Sequence, residues 1–224
     1  MIKALKMAKP ILFWGATGHC KVLHELFSRE GYELVALFDN DPDLVSPYKT
    51  VPLYRGPQGF AEWRKQNGNI SCSAAVAIGG ARGEDRLRIQ EFLNAAGIQI
   101  LTGVHPTAFV AADVRLGTGS QILAHATVCA DASLGMACII NTSASVDHEA
   151  VLADGVHIGP GARLTGCVQV GRNSMIGAGA TILPRLTIGS NSIIGAGSLV
   201  TKPIPDNVIA YGSPARVIRA NLTE

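Results

Sequence analysis

From Leu116, Ile122 and Val128 through to Ile188, Ile194 and Val200, every sixth residue is Leu, Ile or Val, fifteen times in succession. These three residue types make up 56 of the 224 residues, so chance would deliver such a run about once in a billion trials. Two residues before each large position stands an uncharged and mostly small one, as at Ala126, Ala132, Cys138, Ala144, Ala162 and Ala180. Residues two apart on a strand face the same way, so each hexad offers one large and one small inward side chain. The remaining positions, often Gly, Asn or Asp, carry the bend. The repeat runs without insertion from Val114 to Pro203, 90 residues or fifteen hexads, and predicts a coil of very short strands.

The first half follows another rhythm. Apolar runs at Ile11–Trp14, Leu34–Phe38, Ala74–Ile78 and Ile98–Leu101 alternate with helical stretches over Gly18–Glu30, Gln58–Gln66 and Gly83–Ala96. Strands that alternate with helices imply βαβ units and a small parallel sheet. The pattern therefore divides the chain into an α/β domain over residues 1–103 and an all-β coil over 104–224.

Composition narrows the class. Glycine is high at 25 residues and aromatics low at 5%, which suits a core built from small, repeated layers. A net charge of +2 leaves no electrostatic footprint for nucleic acid. The five cysteines lack CxxC spacing and are expected to be reduced. Lys3, Lys6 and Lys9 precede Ile11–Trp14, but that apolar run stops at Gly15 without a cleavage pattern, and no run approaches a membrane span. A cytoplasmic protein is the expectation, with no membrane partner.

Two clusters could carry chemistry. In the coil, Asn141-Thr142-Ser143 is followed by Asp147-His148-Glu149 and then by His157. By the hexad count His148 occupies the fifth position of its hexad and His157 the second position of the next but one, neither an inward position, so both should point outward; a histidine base needs a carboxylate or amide to hold its tautomer. Adjacent residues on a flat strand point apart, so a direct bond from Glu149 to His148 requires a bend. Near the start, Gly15-Ala16-Thr17-Gly18-His19-Cys20 follows a strand and opens a helix, where unpaired N–H groups suit a phosphate. The third glycine of a dinucleotide fingerprint is replaced by Cys20, and a tight structural turn is the alternative. Asp39 lies 24 residues beyond Gly15, roughly where a ribose-binding carboxylate belongs.

The repeat resembles the hexapeptide-repeat acyltransferases, whose left-handed parallel β-helix uses three hexads per coil and would here make five coils. The segment from Asn141 to Glu149 with His157, and the order of the domains, resembles the two-domain sugar acetyltransferases. These include the bacillosamine-pathway enzyme acting on UDP-4-amino sugars, the perosamine N-acetyltransferases and the sialic-acid O-acetyltransferase type. The resemblance implies a Rossmann-like nucleotide-sugar domain followed by the β-helix, and a homotrimer with sites between subunits. It implies His148 as general base supported by Glu149, and an acetyl-CoA site at His157, Gly166, Ala178 and Ala196. It implies nucleotide-sugar contacts at Thr17, Gly18, His19, Asp39, Asn40 and Gly79. His148 and His157 are nine residues apart, half of an 18-residue coil, so one site using both would draw them from neighbouring subunits.

The expected reaction is direct acetyl transfer from acetyl-CoA to the amino group, at C4, of a nucleotide-linked deoxyamino sugar, in surface glycan biosynthesis. Sugar O-acetylation of the sialic-acid type and a non-catalytic nucleotide-sugar scaffold are the alternatives. UDP, GDP and dTDP are equally open. Cys138 falls on an inward position and reads as core rather than nucleophile. No metal is expected, since His125, His148 and His157 do not have a ligand spacing.

Overall fold

The computed structural model describes residues 8–68 and 70–222; Lys3 and Lys6 lie outside the described residues. Two compact units emerge. One holds the described residues up to Ile78 together with Glu91–Leu101; the other holds Gly79–Gln90 together with the chain from Thr102 onward. The division thus falls between Leu101 and Thr102, and a segment that belongs by sequence to the α/β half packs with the coil.

The first unit is a sheet of five parallel strands in the order β3-β2-β1-β4-β5, formed by β1 (Lys9–Trp14), β2 (Tyr32–Asp39), β3 (Leu53–Arg55), β4 (Ser73–Val76) and β5 (Gln99–Ile100). Helices α1 (Gly18–Arg29) and α2 (Gly56–Asn67) belong to it, as does the end of α3 (Gly83–Ala95) from Glu91. This is the doubly wound order in which ligands gather at the carboxyl ends of the strands. The sequence pattern misses β3, whose three half-buried residues show no alternation. Ten of the twelve aromatic residues lie in this unit's sequence, and Trp14, Phe38, Phe60, Trp63 and Phe92 pack ring against ring in its core.

The second unit is the left-handed parallel β-helix. Its two-residue strands recur every six residues from Gly103–Val104 to Leu199–Val200 and stack with an 18-residue register, as in Ser145↔Arg163 and Val146↔Leu164. They form three parallel faces, the sides of a triangular prism. The coil therefore starts two hexads before Leu116, and Val104, Ala108 and Val110 pack on its core. A hexad count begun at Leu116 stops short of these, although both valines hold the period. Inside, Ile, Leu and Val layers alternate with Ala, Ser and Cys138, nearly all at 0–3% exposure. Buried serines stay paired: Ser120 Oγ donates to the Gly135 carbonyl and accepts from the Cys138 N–H. A hairpin of the strands Val208–Gly212 and Ala215–Ala220 closes the last coil, with the first of them parallel to Ile193–Ile194.

From the third corner onward the coil uses one device. At each sixth residue from Gly119 to Gly197 the backbone turns left-handed; five of these fourteen residues are glycine and nine are not, including His125, Ser143, Glu149 and Cys167. The left-handed conformation costs a non-glycine residue about 1–2 kcal/mol. The bend is thus imposed by stacked coils, whose ladder hydrogen bonds and buried layers offset the strain.

Candidate active site

His148 and Glu149 sit at the corner after the Ser145–Val146 strand. Glu149 is the left-handed residue there (φ 56°), and this bend turns its side chain back alongside its neighbour. The His148 Nδ1–H donates to Glu149 Oε2 at 2.9 Å, the bond that a flat strand forbids. That donor fixes the tautomer and leaves Nε2 as the lone-pair nitrogen. The hydrogen bond from His148, followed by one from the Cys167 thiol, holds the Glu149 carboxyl below its usual range. The His148 backbone N–H donates to Asp147 Oδ1 at 2.8 Å. Both His148 and Glu149 are open to solvent.

Eighteen residues on, Gly166 and Cys167 lie directly beneath this pair. A Cβ on Gly166 would fall 2.4 Å from His148 Nε2 and 2.5 Å from Cε1, so glycine there makes room for the imidazole. The Cys167 N–H donates to the His148 carbonyl, and its Sγ lies 3.6 Å from Glu149 Oε2. Among the described residues, the Gly166 N–H donates no hydrogen bond within the coil.

His157 lies on another face. Its strand alternation with inward Ile158 aims it outward, yet it is only 4% exposed, which corrects the picture of a surface histidine. The Gly79–Gln90 segment covers it: Nδ1–H donates to the Gly80 carbonyl at 3.2 Å, and Nε2 accepts from Asn141 Nδ2 at 3.1 Å. Asn141 Oδ1 in turn accepts from the Thr142 N–H. The fully buried Arg86 pins the same segment, donating to the carbonyls of Ala137 at 3.0 Å, Gly155 at 2.6 Å and Gly80 at 3.3 Å. Burial lowers its pKa to about 10, still far above neutrality, so the guanidinium stays charged. His148 and His157 thus occupy separate sides of the prism, each with its own support.

Ala178 and Ala196 are exposed and stacked at a third place, the corners one and two coils beyond the one that follows the His157 strand, where the Gly197 N–H donates to the Ala178 carbonyl at 2.8 Å. In the first unit, Thr17, Gly18 and His19 open α1 after β1, with Thr17 as a cap residue that makes no side-chain cap bond. Gly15 has φ 108°, and a Cβ there would meet the Ala77 carbonyl oxygen at 2.3 Å, so only glycine fits that turn. Asp39 and Asn40 follow at the end of β2. Asp39 Oδ2 accepts from the Ala16 N–H at 2.9 Å and Oδ1 from the Asp41 N–H at 3.1 Å, so this carboxylate braces the helix-opening loop. Gly79 belongs to the second unit.

Sequence reasoning left three residues of these networks without roles. Asn141 stood in the quoted motif, while Cys167 would have followed from adding one coil of 18 residues to Glu149. Arg86 carried no signal, because nothing in a helical charge pattern marks an arginine for burial. His24 packs against the Tyr48 ring, His105 is buried with Nδ1 bonded to Thr107, and His125 is a corner residue.

Comparison with known proteins completes the picture. The PglD N-terminal domain model matches residues 10–91, and the bacterial transferase hexapeptide model (six repeats) matches residues 167–202. No curated protein sequence matches the chain. Among solved structures, the perosamine N-acetyltransferase of Caulobacter crescentus, determined with CoA and GDP-perosamine, is 33% identical with a TM-score of 0.84; the match covers 94% of this chain and 97% of that one. The acetyltransferase domain of PglB from Neisseria gonorrhoeae, determined with acetyl coenzyme A, is 30% identical with a TM-score of 0.82, over 94% of this chain and 100% of that one. WeeI from Acinetobacter baumannii, at 23% identity and a TM-score of 0.82, shares the fold. With both halves matched in order along nearly the whole chain, it belongs to the two-domain hexapeptide-repeat sugar acetyltransferases of the PglD and perosamine N-acetyltransferase type.

Proposed function

We propose that this enzyme transfers acetyl from acetyl-CoA to the C4 amino group of a nucleotide-linked deoxyamino sugar, with His148 as general base. The observation that carries the reading is the His148–Glu149 pair: a 2.9 Å bond that fixes the tautomer, leaving Nε2 over Gly166. The likeness to structures determined with CoA and an amino-sugar nucleotide supplies the substrate class.

The chemistry is direct transfer through a tetrahedral intermediate, without an acyl-enzyme. The neutral amine attacks the thioester carbonyl as His148 Nε2 takes its proton, the imidazolium is held by ionised Glu149, and the N–H of Gly166 faces the developing oxyanion. Collapse forms the amide and expels CoA as thiolate, which recovers a proton from the imidazolium. A covalent acyl-enzyme has no support at Cys138, whose thiol is buried and pushed up to about 12.

In this reading His157, with both ring nitrogens engaged, shapes the acetyl-CoA site rather than moving protons, beside the exposed corner of Ala178 and Ala196. Thr17, Gly18, His19, Asp39 and Asn40 of the first unit contact the nucleotide sugar. Because His148 and His157 lie on different faces, a site that uses both is completed by a neighbouring subunit, and a cyclic trimer satisfies this for every copy. The described residues include no helix long and apolar enough to cross a membrane. In this reading the enzyme works in the cytoplasm, in glycan biosynthesis.

The test is CoA release across UDP-, GDP- and dTDP-linked 4-amino-4,6-dideoxy sugars and their 4-hydroxy counterparts, with wild type and His148→Ala. Loss of about 10²- to 10⁴-fold in the variant, with CoA binding retained, is expected for a general base. Turnover of only the hydroxy sugars would replace N-acetylation by O-acetylation. Full activity in His148→Ala would overturn the assigned base.

A further inference from the structure

We infer that His148, Glu149 and Cys167 form an inhibitory binding site for a borderline-soft divalent cation, with Zn2+ as the representative ion. One nitrogen, one carboxylate oxygen and one sulfur from these residues lie within 4.8 Å of one another, the only such group of three among the described residues. Stacking of neighbouring coils creates the cluster, since Cys167 is the residue one turn beneath Glu149.

The donor spacing fits a tetrahedral ion. Zinc bonds of about 2.0–2.1 Å to nitrogen or oxygen and about 2.3 Å to sulfur give donor separations of roughly 3.3 Å for N···O and 3.5 Å for S···O. The observed values are 2.9 Å for His148 Nδ1···Glu149 Oε2 and 3.6 Å for Cys167 Sγ···Glu149 Oε2. Small side-chain rotations close the difference, because His148 and Glu149 are exposed, and the open side leaves a fourth position for water. The opposing charge is Arg185, one coil further on, which acts on Glu149 less strongly than His148 or Cys167 does.

The consequence rests on the proposed role of His148. An ion at Nδ1 displaces the proton held there to Nε2, so the ring stays neutral and its single proton now sits on the catalytic nitrogen. The lone pair that would accept the amine proton is then gone. Cys167 binds as thiolate, so one proton is released per ion taken up. The cation therefore competes with catalysis by reversing the tautomer that Glu149 maintains.

Co2+ titration of the full chain followed by Zn2+ inhibition of CoA release tests the site. Wild type and Cys129→Ser should both show a thiolate-to-cobalt charge-transfer band saturating at one ion per chain, and Zn2+ should abolish turnover reversibly with EDTA. Cys167→Ser should lack the band and need at least tenfold more Zn2+ for half inhibition, judged against its own metal-free rate. Absence of the band in wild type, or its persistence in Cys167→Ser, overturns the site while leaving His148 as base. A Cys167-dependent band without loss of turnover upholds the site and overturns the role of His148.

Discussion

Gly166→Ala separates the position of the imidazole from every other feature of the site. The new methyl carbon would stand 2.4 Å from Nε2 and 2.5 Å from Cε1 of His148, whereas ordinary contacts begin near 3.5 Å, so the ring must retreat by about 1 Å. Retreat is cheap for folding, since His148 is exposed and Gly166 is not among the left-handed positions. The stability change should stay below about 1 kcal/mol, or roughly 2–4 °C in Tm for a chain of this size. Catalysis is less forgiving: a misplacement of about 1 Å costs on the order of 10²-fold. The substitution keeps the Gly166 N–H, so the oxyanion donor survives and the loss reports on the imidazole. The assay is kcat/KM from released CoA thiol, beside a melting curve and a CoA binding isotherm. Turnover within threefold of wild type would refute the placement, and a melting temperature that falls in step with activity would refute the claim that the fold is spared.

Other perturbations probe the supports. Arg86→Met removes a buried guanidinium shared by three carbonyls and, at roughly 1–3 kcal/mol for each buried acceptor left unpaired, should cost about 2–5 kcal/mol in denaturant unfolding; a loss below about 1 kcal/mol would show that it does not pin the Gly79–Gln90 segment. Gly15→Ala combines φ 108° with a 2.3 Å overlap on the backbone oxygen of Ala77, so more than about 2 kcal/mol should be lost from the first unit, and a wild-type Tm would disprove the tight turn. Cys20 and Cys138, with burial pushing both thiols up to about 12, should resist alkylation at pH 8 until the protein unfolds, while partly exposed Cys72, Cys129 and Cys167 react. Because the folded state holds those two protons where an unfolded thiol near 9 has lost them, their contribution to stability falls as pH rises above about 9; rapid labelling of five thiols in the native state would contradict both statements.

The hexad pattern alone determined the β-helix, its inward layers and the outward direction of His148 and His157, because a coil with an 18-residue period leaves each side chain one direction to point. The α/β order and the strand-to-helix loop at Gly15 were equally legible, since strand and helix periods differ and only glycine suits that turn. The first two hexads, with Val104 and Val110, obey the same period yet lie before the point where small residues and bends make it obvious. What the pattern could not hold was anything that depends on two distant segments meeting. The burial of His157 beneath Gly80, the choice of Arg86 to pin that segment, and the left-handed bend that brings Glu149 onto His148 were decided by tertiary structure. Each is set by which backbone carbonyls and side chains the stacked coils bring within hydrogen-bond distance, and a linear pattern of polar and apolar residues does not encode those distances.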